Sequence, residues 1–439
     1  MLQAGVLALI AVIILLFHTI YYRTDIHHVL NVLHQNHDCA IGGNNDNWVN
    51  FSTDIFRLYV YSAFYDDRPS LLSDPVIRII AISDPFENLI APNVTRLYCI
   101  LRNGTKTVVS LMIDTPKAIG YGWELNRRNA QEYIYTCPLV KGMIPNTVAI
   151  STTQDENSST CVPVTVPKKP EIQRDFCICP QAAYGLRLDP NRLIEWLEVQ
   201  KLLGVNLVGI YILSASDSVV DVFKHYVAEG FVEVREMSYI YSSVNDPEKE
   251  FWLHLTPAIN DCIYRHMYEF RRIVVIDFDE IIMPRNQQNL SDLVTYLDRM
   301  ETDNRRKNVN YAFRNNYFFL ELPPDETISP YLTLLRYRRK VQVSPEGYSV
   351  KSIINPQACT HMHNHYCWGL TASYSKYGNT ASVDPEIALN QHYKNCHFSR
   401  ETCDAMLRNS TQDDVMLRLQ DILTRNVQDK IRVITGNEV

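Results

Sequence analysis

Three carboxylates, Asp277, Asp279 and Glu280, follow the uninterrupted apolar run Ile273-Val274-Val275-Ile276. Carboxylates this close repel one another unless a cation or hydrogen-bond donors neutralise them. Hard oxygen ligands suit Mg²⁺ or Mn²⁺, and such an ion could bridge to a diphosphate. The structural alternative is an acidic turn capping the next segment; Pro284 shows that a turn is near.

A second concentration of chemistry lies between Cys359 and Cys367, where His361, His363 and His365 alternate. In an extended segment the odd-numbered residues face one way, so three imidazoles line one side of a strand. Three readings stay open: a histidine completing a metal shell with Asp279, an independent zinc site, or a structural strip between disulfide cysteines. Strand neighbours two apart are about 6–7 Å apart, so adjacent zinc ligands would need a bend. Lys351 and the run Arg336, Arg338, Arg339 and Lys340 offer cations for a diphosphate, most of that run reading as a solvated face. His392-Tyr393 could close over a sugar or acceptor, Asp261 could contact a nucleotide, and Trp196 reads as core.

Elements that position these residues can be read from periodicity and caps. Asp189-Pro190 opens an amphipathic helix through Leu193, Ile194 and Leu197, and Gly204 closes it before an apolar strand at 207–213. Asp217 can cap a second helix ended by Gly230, with a strand at 231–234. Thr256-Pro257 opens a third helix through Ile259, Ile263 and Met267, ahead of the 273–276 strand. Continuous apolar strands alternating with helices predict an α/β domain over 175–439, doubly wound on a mostly parallel sheet, with its ligand beyond the strands' carboxyl ends.

Before it, strand signals at 56–61, 76–82, 96–101 and 107–113 predict a smaller β-rich domain over 55–150, with Asn103-Gly104 as a hairpin turn. The Ser/Pro/Lys-bearing stretch 151–174 reads as a linker and 24–54 as a stem. Residues 4–22 carry no charge and are long enough, at about 1.5 Å per residue, to cross a bilayer. They exceed the usual signal-peptide core of about 7 to 15 residues, so 1–23 reads as a retained transmembrane helix, with a cleaved signal as the alternative. Positive-inside counting gives no orientation. Six Asn-x-Ser/Thr acceptors, at Asn50, Asn93, Asn103, Asn157, Asn289 and Asn409, follow the apolar run, and the 11 cysteines include no Cys-x-x-Cys pair. Both favour disulfides in an oxidising lumen, with at least one thiol left over. A net charge of −7 without a polybasic run argues against a nucleic-acid partner.

The ordered series Val60-Tyr61-Ser62-Ala63-Phe64-Tyr65-Asp66-Asp67-Arg68, Cys177-Ile178-Cys179-Pro180, Glu195-Trp196, Asn260-Asp261-Cys262, Ile276-Asp277-Phe278-Asp279-Glu280, Lys351-Ser352-Ile353-Ile354, His361-Met362-His363 and His392-Tyr393 resembles glycosyltransferase family 92. The resemblance implies a GT-A-like fold, a Golgi or other secretory-pathway membrane location with a lumenal catalytic domain, and inverting transfer of a sugar, galactose in characterised relatives, from a UDP-sugar to a glycan. It implies Asp277 and Asp279 on the metal and nucleotide, favours His361 or His363 in the metal shell, and places Lys351 in a family motif. An inverting transfer also requires a carboxylate base; Glu280, Glu321, Asp384 and Glu386 are candidates and none is singled out. Two rivals remain: a haloacid dehalogenase-like phosphatase, which also carries Asp-x-Asp after an apolar strand, and an inactive lumenal glycan-binding protein.

Overall fold

Side chains of the parallel strands alternate between two cores, as a strand buried on both faces requires. Phe176, Ile178, Val208, Ile210, Val274 and Ile276 enter one hydrophobic cluster, while Cys177, Cys179, Leu207, Tyr211, Ile273 and Val275 enter another. These strands lie in a computed structural model that describes residues 40–41, 47–52, 57–68, 75–84, 96–104, 106–113, 116–120, 123–125, 128–154, 160–184, 188–240, 247–300, 309–374 and 380–436. The expected anchor, Asn93, Asn157 and Cys39 fall outside the described residues, among which no helix is long and apolar enough to cross a membrane.

The central sheet has seven strands in the order Val232–Glu236, Leu207–Ile212, Arg174–Ile178, Phe270–Val275, Lys351–Ile354, Asn310–Phe313 and Thr380–Val383. The first four run parallel, Lys351–Ile354 is antiparallel to both neighbours, and Thr380–Val383 is parallel to Asn310–Phe313. The fold is therefore mixed α/β. Arg174–Ile178 comes first of the four in the chain yet lies between Leu207–Ile212 and Phe270–Val275 in the sheet, so the strand order reverses there and leaves a crevice. A second sheet of three strands, Glu280–Pro284, Ala388–Lys394 and Asn315–Phe319, starts at the end of that crevice.

Helix Pro190–Leu202 begins as its sequence suggests: Asp189 accepts from the Arg192 N–H, and Gly204 takes the left-handed conformation, φ +89°, that ends it. The third helix differs from expectation. It spans Pro247–His266, with Pro257 inside it rather than at its start, so a proline that usually marks a first turn is absorbed by tertiary packing on both flanks.

The region expected to be a separate β-rich domain with a linker is more tightly joined. An 11-stranded sheet includes Arg57–Asp66, Val76–Asp84 and Arg128–Pro138, and in the Tyr98–Asn103 and Lys106–Leu111 hairpin Asn103 pairs with Lys106, so the turn opens at Gly104, φ +55°, one residue later than expected. Strand Thr160–Thr165, within the expected linker, pairs with Thr147–Ser151 and lies parallel to Arg57–Asp66. One face of helix Pro247–His266 buries Ile259 and Ile263 with the central sheet, and Tyr264 and Met267 pack with Phe64, Ile80 and Ile134 of the β-rich sheet. Residues 41–439 accordingly form one unit.

Candidate active site

The central strand Phe270–Val275 ends, and two residues later the chain turns through Asp277-Phe278-Asp279 into Glu280–Pro284. The turn is held from behind. Trp196 is 1% exposed, as expected of core; its Nε1 donates to the Glu280 carbonyl at 2.8 Å. Tyr393 N–H donates to the Asp279 carbonyl at 2.8 Å, and Arg192 Nη2 donates to the Tyr393 carbonyl at 2.9 Å.

Two cations from distant parts of the chain meet the three carboxylates. Lys351 Nζ donates to Asp277 Oδ2 at 2.9 Å and lies 3.3 Å from Glu280 Oε2. His392 places Nε2 3.2 Å from Asp279 Oδ2 and Nδ1 3.1 Å from Glu280 Oε1. Burial, opposed by Lys351 and reinforced by Glu280 and Asp279, pushes Asp277 up to about 6. Burial disfavours the charge on Glu280, yet Lys351 and His392 hold its carboxyl well below the usual range. For His392 burial also works against charge, and Asp279 with Glu280 carry it up to about 9.

Asp277, Phe278, Asp279 and His392 line a cleft of about 830 Å³ together with Gln181, Tyr184, Asp189, Arg192, Phe251, Trp252, Lys394, Asn395 and His397. That volume is in the range of small-molecule sites, about 300–1,000 Å³. The donor set fits a hard divalent cation. Asp277 Oδ1 is buried with no hydrogen-bond partner among the described residues, the Asp279 side chain is 36% exposed, and three carboxylates face two cations. Oxygen ligands of this kind suit Mg²⁺ or Mn²⁺.

Asp261 and His361, singled out by sequence, fall elsewhere, whereas His363 stays within reach of the Lys351 charge. Asp261 is not in the cleft: its carboxylate is closed by Arg265 Nε at 2.5 Å, Arg265 Nη2 at 3.1 Å and the Tyr211 hydroxyl. It sits between two structural neighbours. Asn260 bonds both the N–H and the carbonyl of Met362 through its amide, and Cys262 joins Cys179 in a disulfide. His361 is also displaced. Its Nδ1 meets Thr360 Oγ1 at 2.9 Å, its ring covers Gly369, where a Cβ would lie 2.0 Å from Cε1, and the charges acting on it are Lys117 and Arg78. His363 stacks flat on Trp368 with ring centroids 4.4 Å apart. The histidine set against Asp279 is His392, whose imidazole the His361–His365 cluster overshadowed in the sequence.

None of the candidate bases is free in the cleft. Glu280 is 1% exposed and engaged on both oxygens. Glu321 Oε1 accepts from Cys396 N–H at 3.0 Å. Asp384 caps its own turn through the Glu386 N–H at 2.9 Å; this turn precedes Ala388, four residues along the strand from His392 and roughly 13 Å away at about 3.3 Å per residue. The basic run also leaves the site, with Arg336 on Glu326, Arg338 on Asp325 and Asp414, Arg339 on Ser410 and Lys340 on Asp413. Arg192 and Lys394 are the cleft cations that sequence reading missed, although Lys394 directly follows His392-Tyr393.

Cys99–Cys137, Cys179–Cys262, Cys359–Cys367 and Cys396–Cys403 are disulfides, Cys161 is also disulfide-bonded, and buried Cys177 is free.

A mixed α/β sheet with an acidic cleft beyond the ends of its parallel strands defines an α/β protein built to hold a ligand through cations and carboxylates together. The chain belongs to glycosyltransferase family 92, whose model matches residues 174–431. It is 23% identical over 239 residues to the beta-1,4-galactosyltransferase galt-1 of Caenorhabditis elegans, covering 52% of this chain and 51% of that protein. It is 24% identical over 258 residues to a glycosyltransferase family 92 protein of the same nematode, covering 56% and 47%. The chain thus spans about half the length of the curated relatives it matches. Glucosyl-3-phosphoglycerate synthase from Mycobacterium tuberculosis matches at 12% identity over 60% of this chain and 80% of that one, with a TM-score of 0.23, too loose a superposition to carry an argument.

Proposed function

We propose that this protein transfers a hexose, galactose first among candidates, from a UDP-sugar to a glycan acceptor with inversion, on a GT-A-like scaffold and with Mn²⁺ or Mg²⁺ held by Asp277 and Asp279. The same reading places it in the lumen of the Golgi or another secretory compartment, anchored by residues 4–22. Membership of the family and the similarity to a galactosyltransferase support sugar transfer. The observation that carries the metal reading is the buried, unpartnered Asp277 Oδ1 beside the partly exposed Asp279 at the cleft wall.

When bound, the cation supplies Lewis-acid stabilisation of charge on the departing diphosphate. The chain's own residues do the rest. Arg192 and Lys394 bring positive charge to the same cleft, where charge-assisted bonds to phosphate oxygens are strong. Tyr184 and Phe251, stacked with centroids 4.9 Å apart, and Trp252 at 37% exposure give a nucleobase aromatic surface. In the transfer the acceptor oxygen bonds to the anomeric carbon, the bond from that carbon to the diphosphate oxygen breaks, and the acceptor proton leaves to a base.

The test is a panel of UDP-sugars and glycan acceptors with the full chain in detergent, with Mn²⁺ or with chelator. Transfer from UDP-galactose in Mn²⁺ alone is expected. Phosphate release from a monoester without UDP-sugar use would instead support the phosphatase rival, and binding without turnover the glycan-binding one.

A further inference from the structure

The three carboxylates of the cluster are not equivalent. Asp277 and Asp279 line the cleft; Glu280 does not and is 1% exposed. Of the three, Glu280 alone touches both cations, His392 Nδ1 at 3.1 Å and Lys351 Nζ at 3.3 Å, and its Oε2 also accepts from the Asp277 N–H at 2.9 Å. Its backbone is fixed by pairing directly across from His392 in the second sheet.

The imidazole is oriented by this arrangement. Nδ1 of His392 faces Asn315 Oδ1 at 3.2 Å as well as Glu280 Oε1. That Asn315 oxygen also accepts from Asn390 Nδ2 at 3.2 Å, which sets which way the amide points. Nδ1 thus has two acceptors and Nε2 has Asp279 Oδ2 at 3.2 Å, so both nitrogens donate and the ring is held as a cation between Glu280 and Asp279. Lys351 is held in the same way, by Asp277, Glu280 and Asn364 Oδ1 at 3.1 Å. Without Glu280 the ammonium would keep Asp277 as its one remaining carboxylate, and the ring would keep Asp279 and Asn315 alone.

We propose that Glu280 is a positioning residue rather than a base: its carboxylate bridges Lys351 and His392, which in turn hold Asp277 and Asp279, and so presents Asp277 Oδ1 and Asp279 as one preformed face toward a divalent cation, which it does not itself touch. This rests on the metal-dependent reading above. Partners that hydrogen-bond metal-facing carboxylates fix their orientation, and loss of such outer groups typically weakens metal binding about 10–100-fold.

The experiment titrates Mn²⁺ into the full-length protein in detergent without any sugar nucleotide, following free Mn²⁺ by electron paramagnetic resonance and imidazole nitrogen near bound Mn²⁺ by pulsed spin-echo modulation. Wild type, Glu280→Gln and Asp279→Ala are compared, with thermal melts as the check on folding. The proposal expects Glu280→Gln to melt normally, to lose about 10–100-fold in Mn²⁺ affinity and to change the nitrogen modulation. If that variant does not fold, Asn315→Ala, which removes the other acceptor on Nδ1 and leaves Lys351 untouched, is expected to alter the modulation with a smaller loss of affinity. Unchanged affinity and modulation in a folded Glu280→Gln overturns the positioning role while Mn²⁺ binding by wild type keeps the metal reading. No Mn²⁺ binding by wild type overturns both.

Discussion

Trp196 meets the acidic turn from beneath twice: its Nε1 donates to the Glu280 carbonyl at 2.8 Å, and its ring meets Phe278 edge-on with centroids 5.3 Å apart. The helix that carries it also supplies Glu195, whose carboxylate accepts the Leu334 N–H at 3.0 and 3.1 Å, and Arg192, which bonds the Tyr393 carbonyl. Trp196 and Arg192 thus tie down two of the segments that bear the cluster, while Glu195 anchors Thr333–Arg336 to the same helix.

Trp196→Phe should therefore weaken the turn more than its modest change in size suggests. It removes one buried hydrogen bond and leaves a carbonyl unsatisfied, a loss of about 1–3 kcal/mol. Denaturant midpoints measure the stability loss, and turnover of UDP-sugar should fall with it. Wild-type turnover in the variant would mean that the indole is packing alone.

Arg68 explains the amino-terminal motif. Fully paired with Asp66 at 2.8 and 2.9 Å, it donates to the carbonyls of Pro356 and Cys359 at 2.7 Å each, reaching from the β-rich sheet to the loop that follows the Lys351–Ile354 strand. Arg68→Ala leaves Asp66 buried with Arg78 as its remaining partner, and breaking a buried pair costs about 3–5 kcal/mol. Arg68→Lys should rescue little, because one ammonium cannot reproduce the fork. Urea unfolding of the two variants decides this; near-wild-type stability for Arg68→Lys would argue against the fork.

The Cys359–Cys367 disulfide closes the hairpin that carries Asn364 and His365, and His365 receives the Ser352 hydroxyl on its carbonyl at 2.5 Å. Replacing both cysteines by serine removes a short-loop crosslink worth about 2 kcal/mol. Activity should drop beyond that of an equally destabilised control, since Asn364 holds Lys351. Equal losses in the two would uncouple the hairpin from the site.

Acid should loosen the same hairpin. Burial pushes His361 down to about 4, with Lys117 and Arg78 adding, and His365 down to about 4, with Lys351 adding. Burial also takes His363 to about 3. An unfolded histidine titrates near about 6.5. Between about 6.5 and about 4 the unfolded chain binds more protons, so stability rises with pH there and is lost as pH falls. Melting temperatures should be lower at about pH 5 than at about pH 7.5, and His361→Asn should shrink the difference. A pH-independent melting temperature would contradict the assignment.

Local features were legible in the sequence because their partners are close along the chain. Asp277, Asp279 and Glu280 need only a strand and a turn, and Asp189 and Gly204 bracket their helix by side-chain and backbone preferences. What failed depended on distant pairing. Alternation placed His361, His363 and His365 on one face without saying what that face meets, whereas His392 reaches Glu280 only because two strands more than a hundred residues apart pair in register. Asp261 sits one residue from Cys262 in a motif that turns out to staple the helix to Cys179, Met362 and Tyr211. Thr160–Thr165 was hidden by Ser and Pro neighbours, and its strand pairing becomes visible only once Arg57–Asp66 offers an edge.

The most direct test of the central claim is the affinity for UDP measured by calorimetry on the full chain, in Mn²⁺ and in chelator, for wild type and Asp279→Asn. The account predicts UDP binding by wild type that is lost or strongly weakened in chelator, and a variant that binds weakly in both conditions. Equal UDP affinity with and without the metal, or wild-type metal-dependent affinity in Asp279→Asn, would contradict it.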